Sequence, residues 1–417
     1  MDDRPGLFYG WRVVAAASLG LCFSTGTIVV LCFGTFFKPL SQHFHAGRAA
    51  VSLAFTLHSF MAAVLLPFIG RLVDRFGARR IILTGTTLFG TILLFSPLLG
   101  SSIAYLYIFF TGLGLVAGST SPVPYGVAVA RWFDRRRGMA LGLMMLGLGV
   151  GAIALPLVAH QLIVRLGWRI AYAAFGCAAL LTLPISFAFL HNDPGDRGLL
   201  PDGERDRSLP APHARQLNGL TWHDMWHQPS FWRLTTAFFL LGASVQAAVV
   251  HMPALLTDRG VSIQVATITS ALVGVALLLG RVVTGYLLDR FFAPRLAMLL
   301  FGLVGVGLAL LWGGETGRTA MLAAVLIGFG MGAEADIIAF CISRYFGLRS
   351  FGTAFAFAFG AFVLGGAIGT ILMGTGFDRT HSYHVSLEVL FFSVLLGIAL
   401  MTRLGPYRYA ADSAGPS

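Results

Sequence analysis

The sequence predicts an all-α integral membrane protein, with twelve transmembrane helices arranged as two pseudo-symmetric six-helix bundles. Three observations predict it. The 417 residues are 56% hydrophobic and only 11% charged, and the mean hydropathy of +0.79 lies far from that of a soluble domain. The apolar residues gather into twelve runs, each near the ~20 residues that cross a bilayer. The two halves of the chain also repeat each other's motifs.

The runs cover 11–37, 49–70, 79–100, 103–130, 139–163, 168–190, 231–256, 264–288, 296–313, 319–342, 353–376 and 384–403. The first is too long for a signal-peptide core and has no small-residue cleavage site, so it reads as a true span. Inside the fourth, TSPVPYG (120–126) places Pro122 and Pro124 in mid-span. Freed carbonyls there are tolerable only against protein or a watery cavity. Residues 191–229 are polar, charged and Pro/Gly-containing, and they separate six runs from six. The expected organisation is an N-terminal bundle (1–190), a cytoplasmic linker (191–229), and a C-terminal bundle with a short cytoplasmic tail (230–417). Within the linker, TWHDMW predicts a short amphipathic surface helix, with Trp222 and Trp226 on one face. The rest is expected to be flexible.

A formal charge of +11 does not imply nucleic acid here, because the basic residues sit at helix ends and not in one patch. They set orientation instead. With the N-terminus inside, 21 of the 29 Lys and Arg fall in cytoplasmic segments and 7 outside, leaving Arg281 within a span. Both termini are expected in the cytoplasm. Arg outnumbers Lys 28 to 1, which suits a GC-rich bacterium and its inner membrane. All four cysteines lie in predicted spans, so no disulfides are expected.

GRLVDRFGARR after the second run recurs as GYLLDRFFAPR after the eighth, and RWFDRRRGMALG after the fourth as RYFGLRSFGTAF after the tenth. Internal symmetry of this kind underlies alternating access in secondary transporters, with substrate held near the midplane. Gly70, Leu72, Asp74, Arg75, Gly77, Arg79 and Arg80 form the G-x-L-x-D-R-x-G-x-R-R pattern. That pattern resembles the signature of the major facilitator superfamily, over essentially the full chain. YGWRVV and RWFDRRRGMALGLMMLGLGVGAIALP (131–156) further resemble the monocarboxylate transporter and oxalate/formate antiporter branch. The resemblance implies a secondary transporter that works as a monomer, by rocking of two halves about a central site.

Arg281 is the one basic side chain deep inside a predicted span, away from its ends, and left unpaired at the bilayer centre it would cost about 3 kcal/mol. Its fork suits a carboxylate, and it cannot escape by losing its proton. In the resembled family an Arg at the corresponding place binds the substrate carboxylate. Animal members add an Asp one turn earlier, where this chain has Leu277, and a Lys in the first span, which residues 11–37 lack. The eleventh run also lacks the second membrane Lys of the oxalate/formate type, which favours a monocarboxylate over a dicarboxylate.

Glu334 and Asp336 lie some 3 to 5 residues past the middle of the tenth run, or ~5–8 Å toward the cytoplasm, near the depth of Arg281. Two residues apart on a helix they face opposite ways. One reading makes either acid a proton carrier when Arg281 holds substrate, and the other makes a permanent ion pair. The repeat sets Glu334 opposite Ser121, which favours Glu334 as the titrating acid and Asp336 as the structural partner. Tyr125 is expected to line a cavity and orient substrate; the alternative is a packing aromatic. His58, Gln246 and His251 are further intramembrane polar groups, with His58 read as a helix-packing hydrogen bonder and His251 as an entry-path residue. Gly70, Asp74, Arg75 and Arg80, with Asp289 and Arg290, read as a cytoplasmic gate built from charged pairs. Gly138, Gly142, Gly147 and Gly151 have the four-residue spacing of closely packed helices.

No P-loop, H-E-x-x-H, G-x-S-x-G or C-x-x-C occurs, so ATP coupling, hydrolysis and redox chemistry have no visible residues. No enzyme activity, cofactor, metal or nucleic-acid partner is expected. The partners implied are a small organic anion, protons and the lipid bilayer. The readings left open are carboxylate symport or anion exchange, proton-coupled drug export, which Arg281 disfavours, and a transporter-like sensor or assembly partner.

Overall fold

The computed structural model of the chain describes residues 8–46, 48–203, 218–313, 317–332 and 334–409. Fifteen α-helices occupy them: α1 (Gly10–Cys22), α2 (Phe33–His43), α3 (Arg48–Phe76), α4 (Ala78–Leu94), α5 (Ile103–Ala117), α6 (Pro122–Trp132), α7 (Arg137–Phe189), α8 (Trp222–Trp226), α9 (Pro229–Asp258), α10 (Ile263–Leu288), α11 (Ala293–Trp312), α12 (Gly317–Met331), α13 (Glu334–Phe346), α14 (Phe351–Thr380) and α15 (His384–Thr402). Eleven stretches are long and apolar enough to cross a membrane. One of these is α7, whose 53 residues contain a kink at Gly167 (φ 83°, ψ 162°). Positive φ favours glycine, and this single residue divides α7 into the fifth and sixth spans, restoring the expected twelve.

Lipid is the solvent for which these helices are built. Leu181 and Val164 are 72% and 71% exposed, a state that suits contact with acyl chains, while the backbone is satisfied within the helices. The chain divides into two compact units, residues 1–217 with 351–356, and 218–350 with 357–417.

In the first unit, α7 packs closely on α1: a Cβ on Gly147 would strike the Ser18 carbonyl, and one on Gly151 would lie 2.7 Å from the Cys22 carbonyl. The first span is itself interrupted. A π turn (Gly26–Leu31) follows α1, and the Thr27 hydroxyl donates to the Cys22 carbonyl at 2.7 Å. Phe36 stacks on Tyr172 at 3.8 Å in an aromatic core with Phe109 and Phe175.

Residues 191–203, expected to be a flexible linker, are instead folded onto this unit. Asn192 accepts from the Arg79 backbone N–H at 2.9 Å, capping α4 where Gly77 (φ 85°) has no side chain to do so. Asp193 pairs with Arg131 at 3.3 Å, and burial raises the Asp193 pKa against the pull of that arginine. Asp202 accepts from the N–H groups of Asp134 and Arg135. Residues 204–217 lie outside the described residues.

The second unit mirrors this. The Tyr407 hydroxyl accepts from the Ala293 N–H at 2.7 Å and so caps α11, the counterpart of α4. The expected surface helix is α8, where Thr221 and Asp224 form a capping box. The Thr221 hydroxyl and backbone bonds hold the Asp224 carboxyl below its ordinary pKa. Trp222 and Trp226 lie 5.3 Å apart and both meet Phe357.

Candidate functional site

Both fourth-in-bundle spans are broken. In the first unit α5 ends in a 3-10 turn (Gly118–Thr120), and α6 restarts at Pro122 with Ser121 as its cap. The prolines of TSPVPYG announce this break. In the second unit α12 ends at Met331 and α13 begins at Glu334, although 319–342 reads as one continuous run. Glycine, not proline, makes this second break possible. A Cβ on Gly332 would sit 2.1 Å from the Leu277 carbonyl oxygen and 2.9 Å from the Arg281 nitrogen, so only glycine lets the chain end of α12 rest on α10.

That contact positions the charges. Arg281 of α10 is 3% exposed, and Glu334 and Asp336 are 7% and 2% exposed. The two acids occupy the first turn of α13, where the helix dipole favours negative charge. Arg281 Nη2 lies 3.6 Å from Glu334 Oε1, and Asp336 is within salt-bridge distance of no cation among the described residues. The structure therefore corrects the expected pairing: Glu334, not Asp336, is within ion-pair distance of the arginine. The repeat argument failed because it compared backbone positions, whereas pairing is set by which way each side chain leaves its helix.

The cluster is incompletely satisfied. Arg281 Nε and Nη1, Glu334 Oε2 and Asp336 Oδ2 are buried without a hydrogen-bond partner among the described residues. Such groups ordinarily find partners. Two free guanidinium nitrogens and two free carboxylate oxygens can accept an anion and a proton, respectively.

The other expected site residues lie elsewhere. Tyr125 is 1% exposed, its hydroxyl bonds to Thr86, and it faces Gly20, where a Cβ would collide with it. It is packed inside the first unit. Elsewhere in this unit a buried hydroxyl pair that the sequence does not announce joins Thr25 Oγ1 and Thr120 Oγ1 at 2.7 Å. Only their burial in a span could have signalled them. His58 is buried against the Phe110 backbone, and His251 Nε2 meets the Thr370 carbonyl at 3.2 Å. Gln246 packs on Gly366 of α14.

Among the described residues Asp74 meets hydrogen-bond donors and no side chain at ion-pair distance. It accepts from the Gly352 N–H (2.8 Å), the Thr353 N–H (2.8 Å) and the Thr353 hydroxyl (2.6 Å), which are otherwise unmet donors of the first turn of α14. Gly70 permits the approach, since a Cβ there would lie 2.5 Å from the Gly352 carbonyl. Arg75 covers the Phe76 ring at 5.2 Å and Arg290 the Tyr286 ring at 4.2 Å. Arg80 is exposed and Asp289 half-buried.

The profile of the Major Facilitator Superfamily matches residues 14–370. Monocarboxylate transporter 13 of Rattus norvegicus is 26% identical, over 100% of this chain and 93% of its own length. The oxalate:formate antiporter of Oxalobacter formigenes is 26% identical, over 95% and 92%. In fold, the chain is similar to the proton:xylose symporter XylE (TM-score 0.73, 16% identity, 96% and 97% covered). It is likewise similar to a bacterial homologue of the iron transporter ferroportin (TM-score 0.74, 14% identity, 95% and 99% covered). Transport, not catalysis, is common to them, and with twelve apolar spans and a matching family profile the chain is a multi-pass membrane transporter belonging to the Major Facilitator Superfamily.

Proposed function

We propose that this protein carries a small monocarboxylate by proton symport or anion exchange, through alternating access. The observation that supports this most is Arg281: a permanent cation, buried in a span, with Nε and Nη1 unmet. A carboxylate is the ligand whose geometry and charge suit that fork. Relatives named for monocarboxylates and for oxalate and formate support the same substrate class. Arg281 anchors the substrate carboxylate, and an acid of α13 supplies coupling. Tyr125, bonded to Thr86, supports the packing that holds the broken fourth span.

In this reading the bundles 1–190 and 230–417 rock about the site as a monomer, in a bacterial inner membrane with both termini cytoplasmic. Gly70, Asp74, Arg75 and Arg80, with Asp289 and Arg290, act as the cytoplasmic gate of the cycle. The test is uptake of radiolabelled lactate, pyruvate, formate and acetate into proteoliposomes, with and without an inward proton gradient. Accumulation that follows the gradient is expected. Inactivity with all four, together with movement of a cationic drug, would replace this reading with drug export.

A further inference from the structure

We infer that Asp336 carries the coupled proton, while Glu334 stays as the exchangeable partner of Arg281. This rests on the carboxylate reading and names the coupling residue within it. Three buried charges make up the cluster, and their arrangement is unequal. Glu334 is within ion-pair distance of Arg281; Asp336, 2% exposed, has an oxygen with no partner among the described residues.

Charge balance then assigns the roles. Fully ionised, one guanidinium and two carboxylates carry a net charge of −1. A bound monocarboxylate on Arg281 would make it −2, which a span tolerates poorly. One proton on Asp336 Oδ2 returns the cluster to −1, so substrate and proton entering together leave the buried charge unchanged. On the far side the substrate departs from Arg281, Glu334 remains as its counter-ion, and Asp336 releases the proton to water. The stoichiometry is one proton per monoanion, with no net charge moved.

The surroundings contain little to compete with this. Of the helices packed on α13, α10 contributes Arg281, with Tyr286 exposed beside Arg290. On α9, Arg233 and Asp258 lie at the ends, and His251 is bonded to Thr370. On α11 the charged residue is Arg295, in its first turn. Along α13 itself, Arg344 is eight residues on from Asp336, or ~12 Å along the axis.

The experiment compares two modes of transport by full-length protein in liposomes, using labelled lactate: counterflow, which needs only substrate exchange, and accumulation driven by a proton gradient. Asp336→Asn imitates the protonated acid. It is expected to keep counterflow within ~3-fold of wild type and to lose gradient-driven accumulation by at least ~10-fold, while Glu334→Gln changes the KM and keeps accumulation. Asp336→Glu keeps a titratable group and is expected to retain accumulation, which decides the matter if the asparagine variant does not fold. Accumulation by Asp336→Asn at the wild-type level would overturn the assignment. So would loss of both modes in a variant of unchanged thermal stability. Absence of counterflow in the wild type would instead remove the carboxylate reading on which the assignment rests.

Discussion

The two broken spans occupy equivalent places in the repeat and differ in chemistry. At the first, between α5 and α6, the polar side chains are neutral hydroxyls: Ser121 caps α6, and the Thr25 and Thr120 hydroxyls bond each other at 2.7 Å. At the second, between α12 and α13, the groups are charged and partly unmet. In each case a new helix starts within the span, at Pro122 and at Glu334. What differs is that hydroxyls bond one another at the first break, while the second holds guanidinium nitrogens and carboxylate oxygens unmet among the described residues. Duplication supplied two frames, and charge in one of them makes it the candidate site.

The largest effect should come from Arg281→Lys, which keeps the charge and removes the fork. Carboxylate uptake is expected to fall by ~100-fold, equivalent to about 2.7 kcal/mol in kcat/KM. Full transport by this variant would show that a point charge suffices. Removing the charge outright, as in Arg281→Met, should also lower stability by about 3–5 kcal/mol because Glu334 is left buried and unpaired; thermal unfolding in detergent measures this.

Next comes Gly332→Ala. Its methyl would be driven against the Leu277 carbonyl, which backbone cannot yield cheaply, so a loss of about 1–3 kcal/mol is expected together with lowered uptake. Gly118→Ala at the other break meets side chains and no backbone, Ile69 nearest at 2.9 Å and Leu66 at 3.5 Å, and should cost less. Equal losses at the two positions would mean that the second break has no special tightness. Smallest is Thr120→Val, which removes a neutral hydroxyl bonded to the Thr25 hydroxyl and N–H and to the Ala117 carbonyl, and should cost about 1 kcal/mol. The pH dependence of uptake should be unchanged by it, since no charge is involved. A shifted pH profile would bring the first break into the coupling chemistry.

Sequence by itself determined the spans, the repeat and the presence of buried charge, because hydropathy, motif spacing and residue type are properties of the chain read in one dimension. Even the division within the 53-residue α7 was legible, as the separation of the runs 139–163 and 168–190. The break at TSPVPYG was legible too, because proline carries its own backbone constraint. The break at Gly332 was not, since a glycine is only informative when one knows what lies against it.

Only the tertiary structure decided which acid meets Arg281, that Tyr125 turns toward Thr86, that Asp74 meets the start of α14, and that Asn192 and Tyr407 cap α4 and α11. Each of these depends on the rotation of a helix about its axis and on its neighbour's position. One residue of helix turns a side chain by ~100°, so a list of apolar runs leaves those partners open. Packing of small residues such as Gly332 closes the choice by setting which backbones touch.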